Sequence, residues 1–221
     1  MIADHQLFLA RSRRWAGQAV GLYGGSFNPA HAGHIHVSFR AIRHLRLDSL
    51  WWLVSPLNPL KHAEDMAALG PRVRRAQHIT ANYPKIQISA LEDELGSRFS
   101  VETIARLRFL HPKTHFIWIM GADNLASFHH WEGWQDIFKL LPVAVIDRPG
   151  YALKALSSPA ARRFRACRIA GRSAARLKSM DPPAWTFLRG PLHPASATAI
   201  RAKIPDWAHE DDIAPRTDAK I

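Results

Sequence analysis

The stretch Val20–Phe39, VGLYGGSFNPAHAGHIHVSF, constrains the fold more than any other part of the chain. Val20–Tyr23 reads as a short apolar strand, and the glycine pair Gly24-Gly25 is expected to break it. From Ala32 onward Ile35, Phe39 and Ile42 fall at roughly helical spacing. A strand that enters a helix through a glycine-rich loop is the repeating unit of an α/β sheet. Open α/β sheets bind ligands in loops of this kind, at the carboxyl ends of their strands. The paired glycines let a ligand approach the backbone closely, and the free N–H groups of the helix start favour an anion. His31 and His34 lie three apart across the first turn, so both can face that anion.

The same alternation runs through the chain. Candidate strands are Ala19–Tyr23, Leu50–Ser55, Ile86–Ala90, His115–Met120, Val143–Asp147 and Trp185–Leu188. Several are continuous apolar runs, the pattern of strands buried on both faces of a parallel sheet. Between them lie Ala32–Leu45, Pro71–Asn82, Ser100–Leu110, Asn124–Leu140 and Pro159–Arg168, each long enough for a helix. This order predicts an α/β fold: a Rossmann-like open, mostly parallel sheet with helices on both faces. With 221 residues, 47% hydrophobic, no repeat and no evident linker, the chain reads as one domain with a core of about 19–204. Residues 1–18 and 205–221 are terminal extensions, and the polar tail from Pro205 is expected to fray.

Other chemistries fit less well. His31, His34 and His36 raise the question of zinc, but no Cys, Asp or Glu is near enough to complete a site, and His36 falls off the face shared by the other two. A dinucleotide turn would need G-x-G-x-x-G, which is absent. The lone Cys167 cannot form an internal disulfide, which suits a reducing compartment; its expected role is that of a small buried apolar residue. No run reaches the 18 or so apolar residues of a membrane helix. In MIADHQLFLARSRRW the arginines follow the apolar run, the wrong order for a secretory signal. A cytoplasmic protein without membrane contact is therefore expected. The net charge, 30 − 18 = +12, suits polyanions or phosphorylated substrates. Arg162–Lys178 concentrates seven basic residues with no acidic one. Without a nucleic-acid motif, that run reads first as a solvated helix face, and nucleic acid is the disfavoured partner.

GGSFNPAHAGH resembles the (H/T)xGH signature of the nucleotidyltransferase superfamily, at Gly25, Phe27, Pro29, His31, Gly33 and His34. Near the other end ASATAIR resembles the superfamily's ISSTxxR, with Ser196, Thr198 and Arg201 in place and Ala195 and Ala197 departing. Ser196 reads as a helix N-cap, with Arg201 projecting from the first turns towards phosphate. Four stretches between them, SPLNPLKH, RFSVETI, GADNLASFHHW and IDRPG, resemble bacterial nicotinate-mononucleotide adenylyltransferases. Together the likeness runs from about Val20 to Lys203.

The resemblance implies adenylyl transfer from ATP to nicotinate mononucleotide, giving deamido-NAD and pyrophosphate in NAD biosynthesis. His31, His34 and Arg201 would be catalytic, and Gly24, Gly25, Ser26, Lys61, Asp123, Arg148, Ser196 and Thr198 would hold ATP. Ser100 and Thr103 would lie by the nicotinate carboxylate, and Trp131 would stack on the pyridine ring. Mg²⁺ would ride on the ATP phosphates, with no metal ligands from the protein. Glu132 stands where the family often has an aromatic, which leaves the choice between nicotinate and nicotinamide open. Trp134 can equally be a core aromatic, and Asp123 alone could be only a helix N-cap. A homo-oligomer is compatible with the sequence. The alternatives are an adenylyltransferase for another acceptor, nicotinamide mononucleotide or phosphopantetheine, and, in another class, a basic nucleic-acid-binding protein.

Overall fold

The structure, a computed structural model, describes residues 13–56, 66–204 and 207–208. Its strands are β1 (Ala19–Gly25), β2 (Ser49–Val54), β3 (Ile86–Ser89), β4 (His115–Gly121), β5 (Val143–Ile146), β6 (Arg168–Ile169) and β7 (Trp185–Leu188). They form one sheet in the order β3-β2-β1-β4-β5-β7-β6, and every pairing is parallel. The helices are α1 (Ala32–Leu45), α2 (Leu69–Thr80), α3 (Leu91–Glu94), α4 (Ser100–Leu110), α5 (Ala122–Ser127), α6 (Trp134–Leu140), α7 (Ala152–Leu156), α8 (Pro159–Arg163) and α9 (Ala197–Lys203). No helix among the described residues is long and apolar enough to cross a membrane.

Side chains of successive strand residues point to opposite faces, so a strand covered on both sides must be apolar throughout. Leu22, Trp51, Trp118 and Val145 belong to one core, and Tyr23, Trp52, Ile119 and Ile146 to the other. Trp51, Trp52, Trp118 and Trp185 are fully buried, each hiding roughly 150–250 Å². The chain leaves β1 outward to β2 and β3 on one side, and β4 carries it to the other. A crevice opens where the direction reverses, at the carboxyl ends of β1 and β4.

Four expectations need correction. Gly24 and Gly25 do not break β1 after Tyr23 but form its last two residues, paired in register with Leu53 and Val54. Their value lies in space. A Cβ on Gly24 would stand 2.5 Å from the Trp118 ring, so any side chain there collides with the first core, on the face it shares with Leu22. The expected helix Asn124–Leu140 is broken into α5, a 3₁₀ turn at Phe128–His130, and α6. Trp131 is extended and Gly133 is left-handed at φ 64°, so the chain turns before α6 starts. The expected helix over Pro159–Arg168 stops at Arg163, and Arg168–Ile169 is the edge strand β6. The basic run is accordingly no helix face. It spans α8, two 3₁₀ stretches and β6, with Phe164, Ala174 and Leu177 buried between exposed arginines.

Cys167 is half-buried, packed at the margin of the first core. Most of the tail lies outside the described residues, but Trp207 within it is buried.

Candidate active site

A cavity of about 740 Å³ occupies the crevice. Gly24 and Gly25 of β1, the following loop residues Ser26, Phe27 and Asn28, and His31 and His34 of α1 form one wall. Asp123 of α5, Trp131 and Arg148 form the second, and Ser196, Thr198 and Arg201 at the start of α9 close one end. Ser55, Glu92 and Ser100 line it from the β2–β3 side.

His31 is the N-cap of α1, and its Nδ1 accepts the Gly33 N–H at 3.0 Å. His34 returns the interaction: its Nδ1 accepts the His31 N–H at 3.1 Å, completing a capping box built from two imidazoles. A ring nitrogen that accepts a backbone N–H carries no proton. In each neutral imidazole the proton is therefore on Nε2, the donor a phosphate oxygen requires. The rings sit 3.9 Å apart, and Phe27 and Trp52 brace His34. Phe27 itself is left-handed at φ 47° and stacks on Trp52 at 4.6 Å, which fixes the loop that leads into the cap.

Burial first, then Arg148 and His193, push His31 down from 6.5 to about 3. Because the folded value lies below the unfolded one, neutral His31 contributes stability that is complete above pH 6.5. That contribution is lost as pH falls towards 3. His31→Asn keeps a capping oxygen and has nothing to titrate. The melting-temperature advantage of the wild type over this variant is therefore expected to shrink between pH 7 and pH 4. Parallel melting curves over that range would show that His31 is not held neutral.

Three segments meet at Gly33. A Cβ there would lie 2.8 Å from His31, 2.9 Å from the Ala195 carbonyl and 2.9 Å from Arg148 Nη1. Arg148 Nη1 is buried without a hydrogen-bond partner among the described residues, while its Nε stands 3.8 Å from Asp123 Oδ1. A buried guanidinium N–H lining the same cavity as two Nε2–H donors is an arrangement for an anion. Arg201 Nη1 donates to the Asn28 carbonyl at 2.6 Å, tying α9 to the first loop. Ser196 caps α9, accepting the Ala199 N–H at 3.1 Å.

The structure thus gathers Gly24, Gly25, Ser26, His31, His34, Ser100, Asp123, Trp131, Arg148, Ser196, Thr198 and Arg201 around one cavity. Asp123 lies in the first turn of α5, whose N-cap is Gly121, so it is not the cap. Thr103 is not among the lining residues: it is fully buried, and its Oγ1 has no hydrogen-bond partner among the described residues. Lys61 lies outside the described residues. Trp134 packs against the first core, edge-on to Phe164 at 6.1 Å, whereas Trp131 reaches the cavity. Among the described residues, no cluster of three or more His, Cys, Asp or Glu could hold a metal.

Sequence reasoning overlooked several lining residues. Glu92 is buried, and Ser100 Oγ donates to its Oε1 at 2.8 Å. Burial raises its carboxyl above the ordinary range, against hydrogen bonds from Ser100 and Ser55. Arg98, Glu132 and His193 also line the cavity. Glu132 stands out on the sequence as a departure beside the substrate, and the charge of Arg98 could have flagged it too; Glu92, inside the acidic run LEDE, resembles any solvated turn.

Comparison with known proteins agrees with this geometry. Residues 22–203 match the family described as cytidylyltransferase-like. The chain is 50% identical over 184 residues to a probable nicotinate-nucleotide adenylyltransferase of Methylorubrum extorquens, covering 83% of this chain and 99% of that one. It is 48% identical over 185 residues to one of Rhizobium johnstonii, covering 84% and 92%. Among solved structures, the Plasmodium falciparum nicotinic acid mononucleotide adenylyltransferase complexed with NaAD shares the fold. Its TM-score is 0.62 at 16% identity, over 84% of this chain and 83% of that one.

Proposed function

The chain belongs to the nicotinate-nucleotide adenylyltransferases of the cytidylyltransferase-like family, and from that premise we propose how its crevice performs the reaction. It is a nucleotidyltransferase that moves the adenylyl group of ATP onto nicotinate mononucleotide, releasing pyrophosphate and giving deamido-NAD in NAD biosynthesis. A 5′-phosphate oxygen of the mononucleotide attacks the α-phosphorus in line, and the bond from that phosphorus to the bridging oxygen of the leaving pyrophosphate breaks. The nucleophile is already an anion, so no covalent enzyme intermediate and no general base are needed. Catalysis reduces to positioning and charge stabilisation.

One observation carries this reading: His31 and His34, with their Nδ1 atoms taken up by backbone N–H groups, and Arg148, with a buried unpartnered Nη1 among the described residues, line one cavity at the start of α1. Phosphates placed there meet neutral donors and one fixed cation, with Arg201 entering from α9. ATP arrives as its magnesium complex, the ion held mainly by the triphosphate. Asp123 and the backbone of Gly24–Ser26 contact the nucleoside parts, and Lys61 adds a cation to the ATP side. At the other end Trp131, backed by Phe128 at 5.2 Å and Trp118 at 6.5 Å, offers a face for the pyridine ring. Ser100 and Arg98 stand by its carboxylate, with Glu92 holding the serine hydroxyl.

The test is pyrophosphate release from Mg–ATP with each acceptor in turn. Nicotinate mononucleotide is expected to give the highest kcat/KM, above nicotinamide mononucleotide and phosphopantetheine. Turnover with nicotinamide mononucleotide alone would place Glu92 and Glu132 as carboxamide acceptors and overturn the nicotinate assignment.

A further inference from the structure

The motif that opens α1 contains three histidines, yet only two face the cavity; the third imidazole at this end comes from the far end of the chain. His193 lies in the loop between β7 and α9, lines the cavity, and accepts the Ala195 N–H through Nδ1 at 3.2 Å. This is the same lock that fixes His31 and His34, each of which also accepts a backbone N–H through Nδ1. All three rings therefore carry their single proton on Nε2 when neutral. Burial first, then His36 and Arg148, hold His193 below the ordinary range, in keeping with a neutral ring.

The loop is held in place from α1. Arg40 donates Nη2 to the Arg189 carbonyl at 2.5 Å and Nη1 to the Pro191 carbonyl at 3.2 Å. His36 Nε2 bonds the same Pro191 carbonyl at 2.8 Å, and its ring lies 5.7 Å from that of His193. Gly190 sits at φ 151°, and a Cβ on it would stand 2.6 Å from Arg40 Nη2, so the loop closes down onto the helix. One helix thus presents His31 and His34 to the cavity and, from neighbouring turns, fixes the backbone that delivers His193. His36, set aside on the sequence as off the shared face, is one of those fixings.

We propose that His193 is a third phosphate-contacting imidazole, donating its Nε2–H to the part of ATP that leaves as pyrophosphate, alongside His31 and His34. The inference rests on the adenylyltransferase reading and extends it to a residue outside both signature motifs. It also explains why this end can hold several negative charges with few formal cations: hydrogen-bond donors fixed by the backbone do the work of additional lysines.

Titration calorimetry with pyrophosphate in Mg²⁺ buffer tests it, with nicotinate mononucleotide as the second ligand. His193→Ala is expected to weaken pyrophosphate binding about tenfold or more, the scale of one hydrogen bond to a charged group. Binding of nicotinate mononucleotide should stay as in the wild type. His193→Gln, which restores an N–H donor, should recover part of the loss; this variant also decides the matter if the alanine protein folds poorly. Pyrophosphate affinity unchanged in both variants, or both ligands weakened equally with no recovery by glutamine, would overturn the assignment. A wild-type protein that binds neither pyrophosphate nor ATP would overturn the adenylyltransferase reading itself, a separate outcome read before any variant is made.

Discussion

Replacing His34 with alanine is expected to lower kcat/KM for adenylyl transfer by roughly 10²–10³-fold, the usual cost of removing one fixed donor from a developing negative charge. The loss should fall mainly on kcat, because charge on the α-phosphate and the departing pyrophosphate grows between ground and transition state. The same ring also caps α1, accepting the His31 N–H at 3.1 Å. Alanine therefore carries a second, smaller cost of about 1 kcal/mol in stability. His34→Gln separates the two roles. Glutamine at this third helical position can reach back to the cap N–H as in an ordinary capping box, so its melting temperature should stay near the wild type. Its amide N–H restores part of the lost donor, so its rate should fall between that of the alanine variant and the wild type. A His34→Ala protein with full turnover would remove His34 from the chemistry. A glutamine variant as unstable as the alanine one would remove it from the cap.

What could be read from the sequence was what depends on near neighbours. The strands were legible because Leu50–Val54 and Phe116–Met120 are buried on both faces and so are apolar without a break. His31 and His34 were legible as a pair because a spacing of three residues puts them on one helical turn, and Ser196 because an N-cap is a local matter; that the two histidines also cap α1 is seen only in the structure. Where near neighbours were insufficient, the reading failed. Gly24 looked like a strand breaker because its purpose, room for Trp118, depends on a residue 94 positions away. Arg168–Ile169 is too short a strand to show any period, and only pairing with Trp185 and Thr186 defines it. The break at Trp131–Gly133 had a local signal in the glycine, outweighed by the apolar spacing on either side. His193 and Glu92 belong to the same class as Gly24: each becomes part of the site only because a distant segment folds against it.

Arg72 makes the same point with a larger expected effect on stability. It sits in α2 as one of PRVRRAQH, indistinguishable from the surface arginines around it, yet it is 1% exposed. Its Nε donates to the Ala67 carbonyl at 2.8 Å, Nη1 to those of Ser26 and Ser55 at 2.8 and 2.7 Å, and Nη2 to that of Pro56 at 2.9 Å. Burial lowers the affinity of Arg72 for its proton, a sign of the desolvation that these four carbonyl dipoles offset. The carbonyls of Ser26 and Ser55 belong to the loops that leave β1 and β2, so one side chain joins two edges of the cavity. Arg72→Ala would leave a void and four carbonyls without their donor, a loss of about 3–5 kcal/mol. For a chain of this size, that corresponds to a fall in melting temperature of roughly 10 °C or more. Arg72→Lys keeps the charge but not the fork, and a single ammonium cannot reach acceptors on three sides; its stability should fall between the wild type and the alanine variant. Because Ser26 lines the cavity, the lysine variant should also raise KM for ATP. Unchanged urea midpoints for both variants would mean that the loops hold their shape without Arg72.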